Sequence, residues 1–556
     1  MTRRKKRQSP GLRIWILAFA SLVLLAICVA CWMVYQAARS DVSGSNQVRL
    51  EVAHSPEKGE LFEELVKQFN AGRPRTPSGK RITVVAEEME PEVMIDAALG
   101  GRFQALSPDS SVWLSQLELG WQQQEATETS IVGETTRYAV SPVVVAMWED
   151  VARSMGYPDD AIGWADILLT ARSNSDFKWS HPSTSSASGL LATLAAFYAG
   201  AGKTRGLTVE DATAEETLAY VAALERTVRY YGEGELAVIR EVEQQGSSYL
   251  DAFVVQEQLV IQYNQRNSDK LLAIYPVEGT MWQDHPLVLL ERPDTLAEQR
   301  QAYRAFCDFL LSADAQMLVL SHGYRPTDLS IPLDSASSPI RADNGVDPAQ
   351  PKTTLQIPGP AVIQVVRDVW QYTKRKANIY LVADVSGSMQ GEKLEQAQEA
   401  FLTFLTLIKG DQERVGLIVF SSTVDEAVSL SELARNREAL RGAIGRLDAG
   451  GDTALLDAVN LGYDRLQGMR DTERINAVVV MTDGKENNSR IRLSALASKM
   501  SQGNQSGVPV VVFCVAYGSD ADMDTLEVLS EAAGGQTRRG SPETIRQLYK
   551  LLSTYF

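Results

Sequence analysis

Cysteine and histidine are scarce, with four of each among 556 residues. Cys28 and Cys31 form a CxxC, but inside an apolar run with neither water nor a base nearby, so redox chemistry is excluded there. Cys307 and Cys514 lie far apart, and no disulfide framework is implied. His54, His181, His285 and His322 stand at no metal-ligand or triad spacing, which leaves surface or packing roles. No P-loop or dinucleotide fingerprint occurs, and the SxxK of Ser55 and Lys58 lacks KTG and SDN companions, so a non-enzyme is expected. Positive charge is also short: 54 Lys and Arg face 70 Asp and Glu, a net charge of -16. The first 35 residues hold six of those cations and no acid, so the remainder stands at -22, which argues against a nucleic-acid partner.

What is present begins with a basic tail, residues 1–13, followed by 22 uncharged residues from Ile14 to Tyr35. Roughly 20 apolar residues span a bilayer as a helix. The run exceeds a usual signal-peptide core, so it reads as a retained signal anchor with a cytoplasmic N-terminus. The expected location is therefore the cell membrane, single-pass, with the bulk outside the cytoplasm. The rival reading is a lipoprotein signal ending at Cys28 or Cys31; Ile27 is large for the position before a lipidated cysteine. Residues 36–47 read as a polar spacer containing a second DVSGS, Asp41 to Ser45, which follows no buried strand and should be inert.

From Val48 the pattern alternates strand and helix to about residue 330, beginning with a strand to Val52 and a helix with Leu61, Phe62, Leu65, Val66 and Phe69 on one face. This indicates an α/β class. Prolines at 332, 339, 348, 351, 358 and 360 mark a boundary, so residues 331–374 read as linker and connecting helix. Beyond it, NIYLVADV, RVGLIVFS, NAVVVMTD and PVVVFCVAY are nearly unbroken apolar runs, as buried parallel strands are. Helices are predicted between them at 393–407, 437–447, 454–466 and 493–500. A doubly wound, Rossmann-like sheet follows for residues 375–556.

The first of these strands ends in DVSGSM, Asp384 to Met389. Ligands bind open parallel sheets outside the carboxyl ends of the strands, where the winding reverses. Asp384, Ser386 and Ser388 alternate, so one loop can turn three oxygens toward a point; Thr453 precedes a helix and Asp483 directly follows a strand. Hard oxygen donors without His or Cys favour Mg²⁺, Mn²⁺ or Ca²⁺ over zinc.

On these residues the segment resembles a von Willebrand factor type A domain with its metal-ion-dependent adhesion site. The resemblance implies that Ser386, Ser388 and Thr453 ligate a divalent cation, Mg²⁺ foremost, with Asp384 and Asp483 in support. It further implies metal-bridged binding of a protein partner that offers a carboxylate. Asp452 and Glu486 read as solvated loop charges.

Residues 48–330 resemble a bacterial extracellular solute-binding protein, a two-lobed fold that closes on a ligand. The resemblance rests on VAHSPEKGELFEELVKQFN, on SPVVVAMWEDVARSMGYPDDAIGWADI from Ser141, and on HPSTSSASGLLATLAAFYAG from His181. Expected crossings between lobes are Tyr138 to Val145 and Val260 to Asn264. Helix starts with small hydroxyl residues attract anions through their unsatisfied backbone N–H groups and the helix dipole, so Ser55, Ser110, Ser111, Ser141, Ser188, Gly189 and Tyr263 are candidate cleft residues for a small anionic solute. Two functions follow: a metal-dependent adhesion or interaction module, or a solute receptor whose C-terminal domain relays ligand state.

Overall fold

The computed structural model describes residues 46–553 except 126–128, 175, 233, 409, 519, 542–544, 546–548, 550 and 551. The basic tail, the expected span, its two cysteines and nearly all of the spacer with its second DVSGS lie outside the described residues. Among the described residues no helix is long and apolar enough to cross a membrane.

The first lobe is built from β1 (Gln47–His54), β2 (Arg81–Glu88), β3 (Ala105–Ser107) and β4 (Val132–Arg137). The helix Gly59–Ala71 buries Leu61, Phe62, Leu65, Val66 and Phe69, the face its spacing predicts. Past Tyr138 the chain enters a second sheet through β5 (Ala139–Trp148), joined by β6 (Trp179–Pro182), β7 (Val228–Gly232), β8 (Ala252–Gln256), β9 (Leu271–Ile274) and β10 (Trp282–Gln283). It then returns to the first sheet as β11 (Pro286–Leu290), which runs antiparallel to β3 and β4. Finally β12 (Arg325–Pro326) pairs with β5.

The first crossing is where it was expected, at Tyr138. The second is not: Val260 to Asn264 lies inside the helix Glu257–Arg266, and the chain recrosses at Asp284 and His285, between β10 and β11. Apolar periodicity misleads there because residues 257–261 are all buried, which a strand entering a core also shows. At the true crossing the chain carries WQDHP, a polar run with His285 at φ 32°.

The proline-rich stretch does not hang free. Ile340 and Val346 are buried with Leu271 and Tyr263 on the second lobe, and Ala273 N–H donates to the Gly345 carbonyl at 2.8 Å. The helix Pro360–Thr373 then leads into the last sheet.

That sheet comprises β13 (Ala377–Asp384), β14 (Arg414–Phe420), β15 (Val424–Glu432), β16 (Ile475–Thr482), β17 (Val510–Tyr517) and β18 (Thr537–Gly540). The order is β15-β14-β13-β16-β17-β18, parallel except for β15, an antiparallel edge strand whose polar alternation carried no buried-strand signal. Every residue of β13 and β16 is buried, as strands covered by helices on both faces must be. The chain leaves β13 toward β14 on one side and later returns on the other as β16. Their adjacent carboxyl ends are therefore the switch point of the winding.

This last unit is fastened to the second lobe through polar contacts, buried around Glu225 and partly buried at Arg375. The Arg375 backbone N–H donates to Tyr231 Oη at 2.8 Å, and its guanidinium reaches the carbonyls of Val228 at 2.7 Å and Glu473 at 3.2 Å. Buried Glu225 accepts from Tyr231 Oη at 2.7 Å and from Trp370 Nε1 at 3.0 Å, with His181 Nε2 at 3.2 Å.

Candidate metal site and cleft

Five predicted oxygen donors converge at the switch point. Asp384 ends β13, and its carboxylate accepts from the Ser386 backbone N–H at 2.7 Å and from the Thr482 hydroxyl at the end of β16. Those two bonds tie the loop to both strands. The Ser386 and Ser388 hydroxyls lie 3.1 Å apart, and Ser388 Oγ donates to Asp483 Oδ1 at 2.6 Å. Thr453 joins through Gly484: a Cβ there would lie 3.2 Å from Thr453 Oγ1 and 3.4 Å from Ser388 Oγ, so a side chain would crowd both hydroxyls. Asp384, Ser386, Thr453 and Asp483 are all buried. Burial pushes the Asp384 carboxyl up, opposed by the hydrogen bonds from Ser386 and Thr482.

Surrounding contacts hold the loops. Gly387 N–H donates to the Gly451 carbonyl at 3.0 Å, and Thr453 N–H donates to Asn487 Oδ1 at 2.9 Å. Glu486 accepts from the Leu456 N–H at 3.0 Å and from Ser489, so it anchors a helix start rather than standing as a solvated charge. Asp452 is exposed, as expected, and its N–H donates to Ser422 Oγ at 2.8 Å.

The donor chemistry fits a hard cation. Three neutral hydroxyls and two carboxylates gather with neither His nor Cys. Among the described residues no group of three or more His, Cys, Asp or Glu is placed to hold a metal ion, so any ion here must draw on hydroxyls. Ser386, Ser388 and Thr453 would hold it, and the chemistry it would supply is an electrophilic seat for an incoming carboxylate. Sequence reasoning missed two participants, Thr482 and Lys393. The latter donates from Nζ to Asp483 Oδ2. Its only sequence signal is its place four residues after Met389, at the start of the helix Glu392–Leu407.

The first domain presents a different surface. Between its lobes lies a cavity of about 190 Å³ whose walls carry Glu57, Glu88, Glu90, Asp109 and Glu235 against Arg240 and Arg538. Arg538 comes from β18, so the last domain forms part of the wall. Burial is the main cause that pushes these carboxyls up, with repulsion among them adding to it: Glu90 reaches about 7, while Asp109 and Glu235 lie well above the usual range. Beneath them Lys58 is buried, donates to the Pro108 carbonyl at 2.5 Å, and is lowered to about 8 by burial.

Of the serines expected here, none forms the cavity wall, though several flank it. Ser55 Oγ donates to Glu57 Oε1 at 2.5 Å, not to Lys58. Ser110 follows Asp109 and its Oγ accepts from Val112 N–H at 3.4 Å; Ser111 N–H donates to Asp284 Oδ1 at 2.7 Å. Ser188 Oγ accepts from Gln283, which also reaches Glu235 at 3.2 Å, and Ser141 Oγ donates to Gln258. Gly189 sits so close to the chain that a Cβ would meet the Ser183 carbonyl at 2.0 Å. Tyr263 packs on Trp148 in an apolar cluster, apart from the wall. The acids that do form the wall come from four separate segments with no shared motif, and so left no sequence signal.

Comparison with known proteins agrees with this division. Residues 50–325 match the family described as bacterial extracellular solute-binding protein, and residues 378–549 match the von Willebrand factor type A domain. Both resemblances read from the sequence are thereby borne out, in the expected order. The two matches together support a binding or interaction protein. An uncharacterized protein of Synechocystis sp. is 28% identical over 186 residues, 32% of this chain and 41% of that protein. The chain thus spans less than half the length of that relative. Among solved structures, a von Willebrand factor type A protein from Catenulispora acidiphila aligns at TM-score 0.29 and 19% identity, covering 33% of this chain and 43% of that one. The sulfate-binding protein SubI of Mycobacterium tuberculosis aligns at TM-score 0.36 and 17% identity, covering 51% of this chain and 88% of that one.

Proposed function

We propose that this chain is a membrane-anchored, extracytoplasmic, non-catalytic interaction protein that binds an acidic group of a protein partner through a divalent cation, with Mg²⁺ the leading candidate. The observation that carries the reading is the gathering of Asp384, Ser386, Ser388, Thr453 and Asp483 at the switch point of one sheet. Neutral hydroxyl donors leave a bound cation electrophilic, which suits a carboxylate from outside. The test compares protein partners recovered by the full chain and by Asp384→Ala in Mg²⁺, and again in EDTA. Equal recovery in all four arms sinks the proposal.

A second reading has its own observation. The walls of the cleft carry five carboxylates against two guanidinium groups, so the solute it suits is a small cation rather than the anion suggested by the helix starts. A ligand ammonium beside these groups draws their protons off, so binding should release protons and weaken as pH falls below about 7, where Glu90 gains its proton. Calorimetry with spermidine in buffers of different ionisation enthalpy checks this; anion binding there, insensitive to buffer, defeats it. In that case the last domain, which contributes Arg538 to the wall, is placed to sense the solute.

A further inference from the structure

The helix Glu392–Leu407 starts just after the DVSGSM turn, and its second residue, Lys393, folds back onto the rim. Its ammonium bonds Asp483 Oδ2 while Ser388 occupies Asp483 Oδ1 at 2.6 Å. Both oxygens of a carboxylate that is 0% exposed are therefore engaged, one by a hydroxyl and one by a full positive charge. Lys393 keeps 33% of its side chain in contact with solvent. Gly518, at φ +84° beyond β17, lies beside it, where a Cβ would touch Cε and Nζ at 4.0 Å. The lysine thus keeps a solvent-facing side, whereas Asp483 has none.

A divalent cation seated on Ser386 and Ser388 must lie beside the carboxylate that holds this ammonium. Repulsion between a divalent ion and an ammonium a few ångströms apart, in the partly screened surroundings of a sheet rim, amounts to about a tenfold or larger factor in binding. We propose that Lys393 is a resident counter-ion that competes with the divalent cation for Asp483 and thereby sets the metal affinity of the rim. The inference rests on the metal-site reading above. A purely structural lysine, one that merely holds Asp483 in place, makes the opposite prediction: removing it would loosen the site and weaken binding.

The sign of the effect decides between the two. Mn²⁺ is titrated calorimetrically into the full chain as wild type, Lys393→Met, Lys393→Gln and Lys393→Arg. The Met and Gln forms are expected to bind about tenfold or more tightly, and the Arg form close to wild type. Two neutral variants guard against one of them misfolding, which circular dichroism reports. Wild-type binding with equal or weaker affinity in the neutral variants overturns the competition alone. No binding in any form overturns the metal-site reading, and the competition with it.

Discussion

The rim of the last sheet and the cleft of the first domain both concentrate oxygen, yet they do so with different chemistry. At the rim, three hydroxyls and two carboxylates gather where bonds link the carboxyl ends of two neighbouring strands, and a single lysine offsets the charge. In the cleft, five carboxylates from both lobes share a cavity, and burial together with their mutual repulsion drives their proton affinity upward. The rim is a low-charge set of donors held in place by their own hydrogen bonds. The cleft stores repulsion that a ligand of opposite sign would relieve. The difference teaches that proximity of acids and organisation of donors are separate properties.

The comparison can be broken first by asking whether charges in the first domain depend on their partners. Arg325 pairs with Glu257 through two bonds, at 2.8 and 2.6 Å, and the side chains are only 7% and 0% exposed. Arg325→Met leaves that carboxylate buried and should cost roughly 3–5 kcal/mol in urea unfolding. A loss of less than about 1 kcal/mol would show the pair to be reached by water.

Acid sensitivity comes next. His54 lies buried at the end of β1, and burial lowers it to about 4 from its ordinary 6.5. The unfolded chain takes up that proton at higher pH than the folded one, so stability falls as pH drops from 6.5 toward 4. The full contribution is roughly 3 kcal/mol, and His54→Gln should remove it from the pH–stability profile.

At the rim the expected effect is smaller. Asp483→Asn removes the charge that Ser388 and Lys393 both address, and should weaken Mn²⁺ binding about 10–100-fold by calorimetry. Solute binding in the cleft should not change. The smallest effect sharpens the cleft half: Asp109 is buried among like charges, so Asp109→Asn should raise the melting temperature at neutral pH slightly, not lower it. Its bond to Trp113 Nε1, 2.7 Å in wild type, survives the change.

How much of this could be read from the chain depended on distance along it. The strands ending at Asp384 and Thr482 announced themselves because burial on both faces demands unbroken apolar runs, and the DVSGSM turn is local. The helix face at Leu61 was legible because its apolar residues recur at helical spacing. The edge strand Val424–Glu432 was not, since one of its sides meets water and it lacks the unbroken apolar run of a strand covered on both faces. The sign of the cleft was hidden because Glu57 and Asp109 meet Glu235 only through the crossings at Tyr138 and at Asp284, the second of which carries no apolar signature. Lys393 went unnoticed since a lysine one residue into a helix is ordinary, and only the fold brings it to Asp483.

Arg538 has a consequence for how the molecule can be taken apart. A fragment ending at the proline-rich stretch would keep both lobes but lose one of the two guanidinium groups in their shared wall. Its opening would be wider and its potential more negative than in the intact chain. Any selectivity measured on such a fragment would belong to the fragment, because the wall of the pocket is built in part by a strand from far along the polypeptide.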